Sequence, residues 1–240
     1  MEDLRVATTF SDIITLALTS KIINDLRWEQ DYAENAALFL RQKSQALQTA
    51  IPKFNRPPEI REYLAYTAPS FDSYYEYTSS PITGSVVIAT GATGFELCNV
   101  GVLSINQYNE ADYTAITDFT YDAETGDVTI NGNYPNKTEF QFDFYTDGVF
   151  TNELNAEIQE ILCYCLKVVW ETGFSGSWLD RTPFIQDKTF KRASTESAWT
   201  EAQEHKRKAA ENSLNDRLMK YEQDCNYRGV VVFKTPGLHP

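Results

Sequence analysis

Nucleophilic catalysis of the Ser–His–Asp or Cys–His kind needs an imidazole held within hydrogen-bond reach of the nucleophile. The chain has two histidines, His205 in a run of Lys, Arg and Glu with helical character, and His239 one residue from the carboxy-terminal end. Neither reads as a fixed general base. The four cysteines, Cys98, Cys163, Cys165 and Cys225, form no C-x-x-C pair, and zinc sites of the usual kinds need Cys or His in close pairs. Cys163 and Cys165 stand two apart in a helical stretch, roughly 200° around the axis from one another, which sets them against closing a bridge or chelating one ion. Such sparse thiols read as ordinary buried or half-buried residues in a reducing compartment.

Gly91-Ala92-Thr93-Gly94 has the look of a glycine-rich loop. It lacks the Lys-Ser/Thr of a phosphate loop and the third glycine of a dinucleotide fingerprint, so it reads as a turn between strands. The oxygen-rich stretches Asp122–Asp127 and Asn131–Asn136 do not keep the ligand order of an EF-hand, and a calcium ion held by a few of these oxygens stays open as an alternative. A pair of acids for glycoside hydrolysis cannot be picked out of the sixteen carboxylates between residues 61 and 160. The expectation is therefore no catalytic residue, no cofactor and no metal, in a subunit that works through protein–protein contacts rather than as an enzyme.

Charge divides the chain further. The net charge is −13, and residues 61–160, with two basic and sixteen acidic side chains, carry the whole imbalance. A surface this acidic repels phosphates within a Debye length of ~8 Å, which sets the middle of the chain against specific nucleic-acid binding. Solubility is one reading of that charge, and a surface beside which DNA must pass without sticking is another. With 240 residues and 42% apolar content the chain can bury a sizeable core. No run approaches the ~18 consecutive apolar residues of a membrane-spanning helix. The acidic start, Met1-Glu2-Asp3-Leu4-Arg5, lacks the features of a secretory signal, and points to synthesis in the cytoplasm.

The elements follow from hydrophobic period. Phe10, Ile13, Ile14, Ala17 and Leu18, then Ile22, Ile23 and Leu26 beyond Ser20, recur at helical spacing, with Thr9 or Ser11 as the cap. A second helix is expected from about Asp25 to Ala50, stopped by Pro52. From Phe54 to Phe150 the pattern turns to β, with strands expected at Ser85–Ala89, Leu97–Ile105, Ile116–Tyr121, Asp127–Asn131 and Glu139–Tyr145, and a turn at Ala123-Glu124-Thr125-Gly126. Helix returns over Leu154–Trp170, ended by Gly173, and again from about Ser194 to Asp224. That last helix has a thin apolar stripe of Ala198, Trp199, Ala202, Ala209, Leu214, Leu218 and Tyr221 among charged neighbours. A stripe so thin predicts that neighbouring subunits supply its second face; a solvated, two-sided helix tethered only at its ends is the other reading. Val230, Val231, Val232 and Phe233 follow as a β-prone run too short to make a sheet, which either pairs with the chain's own β-layer or adds a strand to another chain.

The fold class expected is α+β: a helical bundle of two amino-terminal and two carboxy-terminal helices with an inserted antiparallel β-sandwich or small barrel. Its segments are 1–53 and 151–226 for the bundle, 54–150 for the insertion and 227–240 for an extended docking tail. Residues 118–150 read DFTYDAETGDVTINGNYPNKTEFQFDFYTDGVF. This stretch resembles a segment found in many virion proteins of tailed phages: a strand, a D-x-x-T-G turn, a second strand, a Pro-containing loop and a strand ending in Asp-Phe/Tyr-Tyr. The order of elements is similar to that of head-completion or adaptor proteins beneath a phage portal. The resemblance implies a homo-oligomeric ring, commonly of twelve subunits, that contacts the portal and a tail or second neck protein. It further implies passage of DNA without specific binding, no membrane, and a place in the neck of the virion. It makes Trp199 to Tyr221 an intersubunit or portal-facing helix, with Trp199, Ala202, Leu214, Leu218 and Tyr221 at the interface, and Val230–Phe233 the docking strand. A baseplate or tail-fibre module that stacks sugars on Tyr74, Tyr75 and Tyr77 is the alternative.

Overall fold

A computed structural model describes residues 7–105, 111–174 and 192–228. The chain is α+β, with six helices and antiparallel strands among the described residues, and it divides into two compact units. One comprises Met1–Leu26, Lys43–Thr67 and Val149–Pro240, and the other Arg27–Gln42 and Ala68–Gly148.

In the first unit, helix α1 spans Phe10–Thr19. Thr9 caps it: its hydroxyl accepts from the Asp12 N–H at 3.1 Å, and the Asp12 carboxylate accepts from the Thr9 N–H at 2.8 Å. Phe10, Ile13, Ile14, Ala17 and Leu18 are buried. The helix does not continue to Leu26 as its period predicts. Lys21 takes a positive φ of 59°, and the Ile23 N–H turns back to the Ala17 carbonyl at 3.1 Å, which closes the helix end and still buries Ile23.

Strands β1 (Tyr66–Thr67) and β9 (Val149–Phe150) pair antiparallel, so the intervening stretch leaves and returns at one point. The Phe150 N–H reaches the Thr8 carbonyl, and the Phe10 ring lies 5.1 and 5.2 Å from those of Tyr66 and Phe150. Helix α5 spans Ala156–Phe174, running on through Gly173. It starts two residues later than its apolar pattern because Asn155 caps it, accepting from the Ile158 N–H at 2.9 Å. Ile158, Ile161, Leu162, Cys163, Cys165, Leu166 and Val168 are all buried, on more than one face. Helix α6 spans Arg192–Arg228. At 1.5 Å per residue it is about 55 Å long, twice the length of α5.

In the second unit, the single helix expected from Asp25 to Ala50 is two: α2 (Leu26–Glu34) and α3 (Ala36–Ala50). Asn35 makes the break. Its side-chain oxygen accepts from the Leu38 N–H at 3.0 Å as a cap, while its amide donates to the Cys98 carbonyl at 2.9 Å. The second half of α3, the short 3₁₀ turn Ile51–Lys53 at Pro52 and the one-turn helix α4, Ile60–Tyr63, belong to the first unit.

Strands β2 (Ser70–Tyr77), β8 (Glu139–Thr146), β4 (Glu96–Ile105) and β5 (Ala111–Ala115) form one open sheet in that order. Strands β3 (Ile82–Ala89), β7 (Asp127–Tyr134) and β6 (Phe119–Asp122) form another. No closed barrel is present among the described residues. The strand expected at Ile116–Tyr121 is displaced into β5 and β6 on either side of Ile116–Asp118. The aromatic run Ser70–Tyr77 is itself a strand. Alternate residues of both sheets share one core: Phe140, Phe142 and Phe144 of β8, Val100 of β4, Val128 and Ile130 of β7 and Ile88 of β3. Truncating any of the three phenylalanines to Ala costs about 3–5 kcal/mol by loss of burial and creation of a cavity.

Candidate functional site

Strand β8 is buried on both faces at its middle, and the two faces differ in chemistry. Phe140, Phe142 and Phe144 point into the core, whereas Asp143 points to the opposite face with 6% of its surface exposed. Register places Asp143 beside Ser73 of β2 and Asn99 of β4, a polar row across three strands. Ser73 donates to the Asp143 carboxylate at 2.6 Å, Gln141 at 3.0 Å and Asn99 at 3.4 Å, and the Arg41 guanidinium of α3 pairs with it at 3.3 Å. Burial alone would raise this carboxyl, but the hydrogen bonds from Ser73 and Gln141 and the Arg41 charge outweigh it and hold Asp143 below the usual carboxylate value. Arg41 also lies over the Phe71 ring, 5.7 Å from its centre. The result is a clamp that fastens the first half of α3 to this sheet face.

That cover ends part-way along β2. Tyr75 and Tyr77, paired with Gln141 and Glu139 of β8, are 53% and 58% exposed. Tyr74 takes the other face, packing on the core and donating to Glu76 at 2.9 Å. The three tyrosines therefore do not make one platform; Tyr75 and Tyr77 make a pair.

Among the described residues β2 and β3 are both edge strands, each hydrogen-bonded to a neighbour on one side. Along them lies a groove of about 400 Å³, walled by Tyr74, Glu76, Tyr77, Ile82, Val86 and Val87 among others. Val87 is 60% exposed. The sequence pattern starts β3 at Ser85 and assigns no strand to Ser70–Tyr77, so it does not show this groove; the β-prone aromatics Phe71, Tyr74, Tyr75 and Tyr77 are the signal the stretch carries.

On α6 the carboxy-terminal part of the expected stripe finds cover in the chain itself, whereas Ala209 of that stripe is exposed and Met219, off it, is 43% exposed. Leu214 (6% exposed), Leu218 and Tyr221 are buried, together with Gln203 and Ala210, which sequence reading passed over. Spacings of 7, 4, 4 and 3 between these five residues put them on one helical line against α5. Tyr221 also meets the Phe54 ring edge-on at 5.5 Å. Arg217 flanks that line: it donates to the Tyr164 hydroxyl at 2.8 Å, lies 3.9 Å from the centre of the Tyr164 ring and pairs with Glu160 at 2.7 Å. Ala202 is exposed, and the outward face carries i,i+4 pairs, Glu204 with Lys208 and Arg207 with Glu211. Trp199 sits in the described helix but its side chain, like all of Val230, Val231, Val232 and Phe233, lies outside the described residues.

The thiols are poor nucleophiles where they stand. Burial pushes Cys98, Cys163 and Cys165 each up to about 12, so all three are protonated at neutral pH. His205 is exposed beside Glu201 at 3.8 Å, and His239 lies outside the described residues. Among the described residues no group of three or more His, Cys, Asp and Glu could hold a metal ion, and no helix is long and apolar enough to cross a membrane. The chain matches no protein-family model, no curated protein and no solved structure.

Proposed function

We propose that this chain is a structural subunit of a phage head-to-tail connector, one copy in a ring that joins portal and tail and forms part of the conduit for DNA. In this reading α1, α5 and α6 belong to a helical bundle, and the two sheets are a sandwich inserted into it. The observation that carries it is the order of elements: amino-terminal helices, an antiparallel β stretch that leaves and returns through the β1–β9 pair, then two helices of which the second is twice the first. Because Leu214, Leu218 and Tyr221 are already covered by α5 and Phe54, contacts between copies fall to the outward face of α6 and to the tail. The acidity of residues 61–160 suits a surface past which DNA moves without binding. Native mass spectrometry and negative-stain microscopy, on the chain alone and with its portal protein, test the reading. A ring of identical copies is expected. A monomer at every concentration, with and without portal, sinks it.

The exposed pair Tyr75 and Tyr77 favours a second reading, a baseplate or fibre module in which their rings stack on sugar. A glycan array on the full chain and on the Tyr75→Ala/Tyr77→Ala variant separates the two: signal that depends on the tyrosines supports the second, and no signal removes it.

A further inference from the structure

The β3 edge lacks the devices by which natural sheets protect an unpaired strand. Ile82–Ala89 reads ITGSVVIA, with no charge and no proline. Its one irregularity is a kink at Gly84, whose φ of 88° faces Gly132 at 152° across the ladder. Beyond that kink, Ser85–Ala89 runs regularly against β7 on one side, and among the described residues no strand pairs with the other. An uncharged edge with Val87 exposed and a groove of about 400 Å³ beside it is a template for an added strand.

The chain itself carries a segment of the matching kind. After α6 ends at Arg228 come twelve residues, GVVVFKTPGLHP. Val230–Phe233 is β-branched and aromatic throughout, and Pro236 ends any ladder. Only Gly229 separates α6 from Val230, so the run begins within about 4 Å of the helix end and reaches another molecule where α6 itself ends beside it. Charge agrees: the groove holds Glu76 within the acidic stretch 61–160, while Arg228 and Lys234 flank the apolar run and no acid follows Asp224.

Resting on the multi-copy reading above, we infer that the free edge of β3 from Ser85 to Ala89 takes Val230–Phe233 of a second copy of this chain as an added strand, whose side chains fill the β2–β3 groove. The copies are thereby linked head to tail, each tail in the next copy's groove, a contact that closes a ring or runs on as a filament.

Disulfide trapping in the full-length chain tests this. In a Cys225→Ser background, chains bearing Val87→Cys are mixed with chains bearing Val231→Cys, and dissolved oxygen with a copper catalyst takes two electrons and two protons from each thiol pair. The control places the thiol at Thr120, exposed on β6 at the opposite edge of the same sheet. Circular dichroism confirms that each variant is folded, and native mass spectrometry gives the copy number before oxidation. The expected result is a covalent dimer from the Val87/Val231 mixture at least tenfold above the Thr120/Val231 control. Equal yields, or none, in a sample already multimeric overturn the strand addition and leave the connector reading standing. A monomeric sample with no dimer overturns both. A chain bearing both substitutions that closes only on itself overturns the choice of a second copy as donor.

Discussion

Along α6 the buried apolar residues are few, but Ala210, Leu214, Leu218 and Tyr221 fall in one line, and α5 packs against the helix. Along β3 five of eight residues are apolar, Val87 among them stands exposed, and the backbone beside it has no partner strand among the described residues. The two regions teach that need for a partner is not measured by counting apolar side chains. A helix satisfies its own backbone, so a narrow stripe with one neighbour completes it. A strand satisfies half of its backbone, so an edge with modest side chains still presents a row of donors and acceptors.

The comparison breaks if α6 tolerates a charge in its stripe. Leu218→Asp puts an unpaired carboxylate against α5 and is expected to cost about 4 kcal/mol or more, read as a collapse of the urea midpoint; Val87→Asp at the β3 edge is expected to leave that midpoint almost unmoved. Unchanged stability in Leu218→Asp would mean that α6 does not rest on α5.

The next effect belongs to the covered half of the four-stranded sheet. Arg41→Ala strands the buried Asp143 without its cation and is expected to cost about 3–5 kcal/mol. Because the folded state holds the Asp143 carboxyl below its ordinary value of ~3.9, the unfolded chain binds the proton more readily. The carboxylate's contribution is fully present above about pH 4 and is lost as pH falls through the folded value. Urea titrations between pH 7 and pH 3 should therefore lose less stability in Asp143→Asn than in the parent chain. An identical pH slope would show that Asp143 is not held ionised by its neighbours.

Arg217→Ala is expected to cost about 1 kcal/mol, because its ion pair with Glu160 is half exposed and worth little, and the stacking on Tyr164 supplies most of the effect. Lys at this position should recover only part of it. A full recovery would assign the effect to charge alone. Smallest of all, Tyr75→Ser, Tyr77→Ser and Val87→Lys should each change the stability of the monomeric chain by no more than about 0.5 kcal/mol, since each side chain is more than half exposed in one copy. A larger loss in the monomer would mean that the open end of the sheet is covered by another part of the same chain.

Where local chemistry decides, the residues state the outcome. Thr9 with Asp12 three residues on is a capping box by type and spacing, and Phe10, Ile13, Ile14, Ala17 and Leu18 repeat at helical period. Gly126 is needed where it stands: its φ is 78°, and a Cβ there would come within 2.7 Å of the Ala92 nitrogen, which a turn at Ala123–Gly126 already implied in part. The break at Asn35 was harder to see. Asn within a helical pattern is common, and only the carbonyl of Cys98, 63 residues away, makes the exit from the helix worth taking.

The sequence by itself determined the α+β class, the first helix with its cap, the core strands with their Phe and Val alternation, and the charged character of the closing helix. Each of these depends on neighbours within a few residues, whose period and side-chain chemistry are visible in the string. The tertiary structure alone decided that the α6 stripe is covered from within, that Asp143 gathers Ser73, Asn99, Gln141 and Arg41, and that Tyr75, Tyr77 and Val87 stay open. Burial is a property of what another segment brings to a surface, and those segments lie tens of residues away, joined by register and packing that no local pattern encodes.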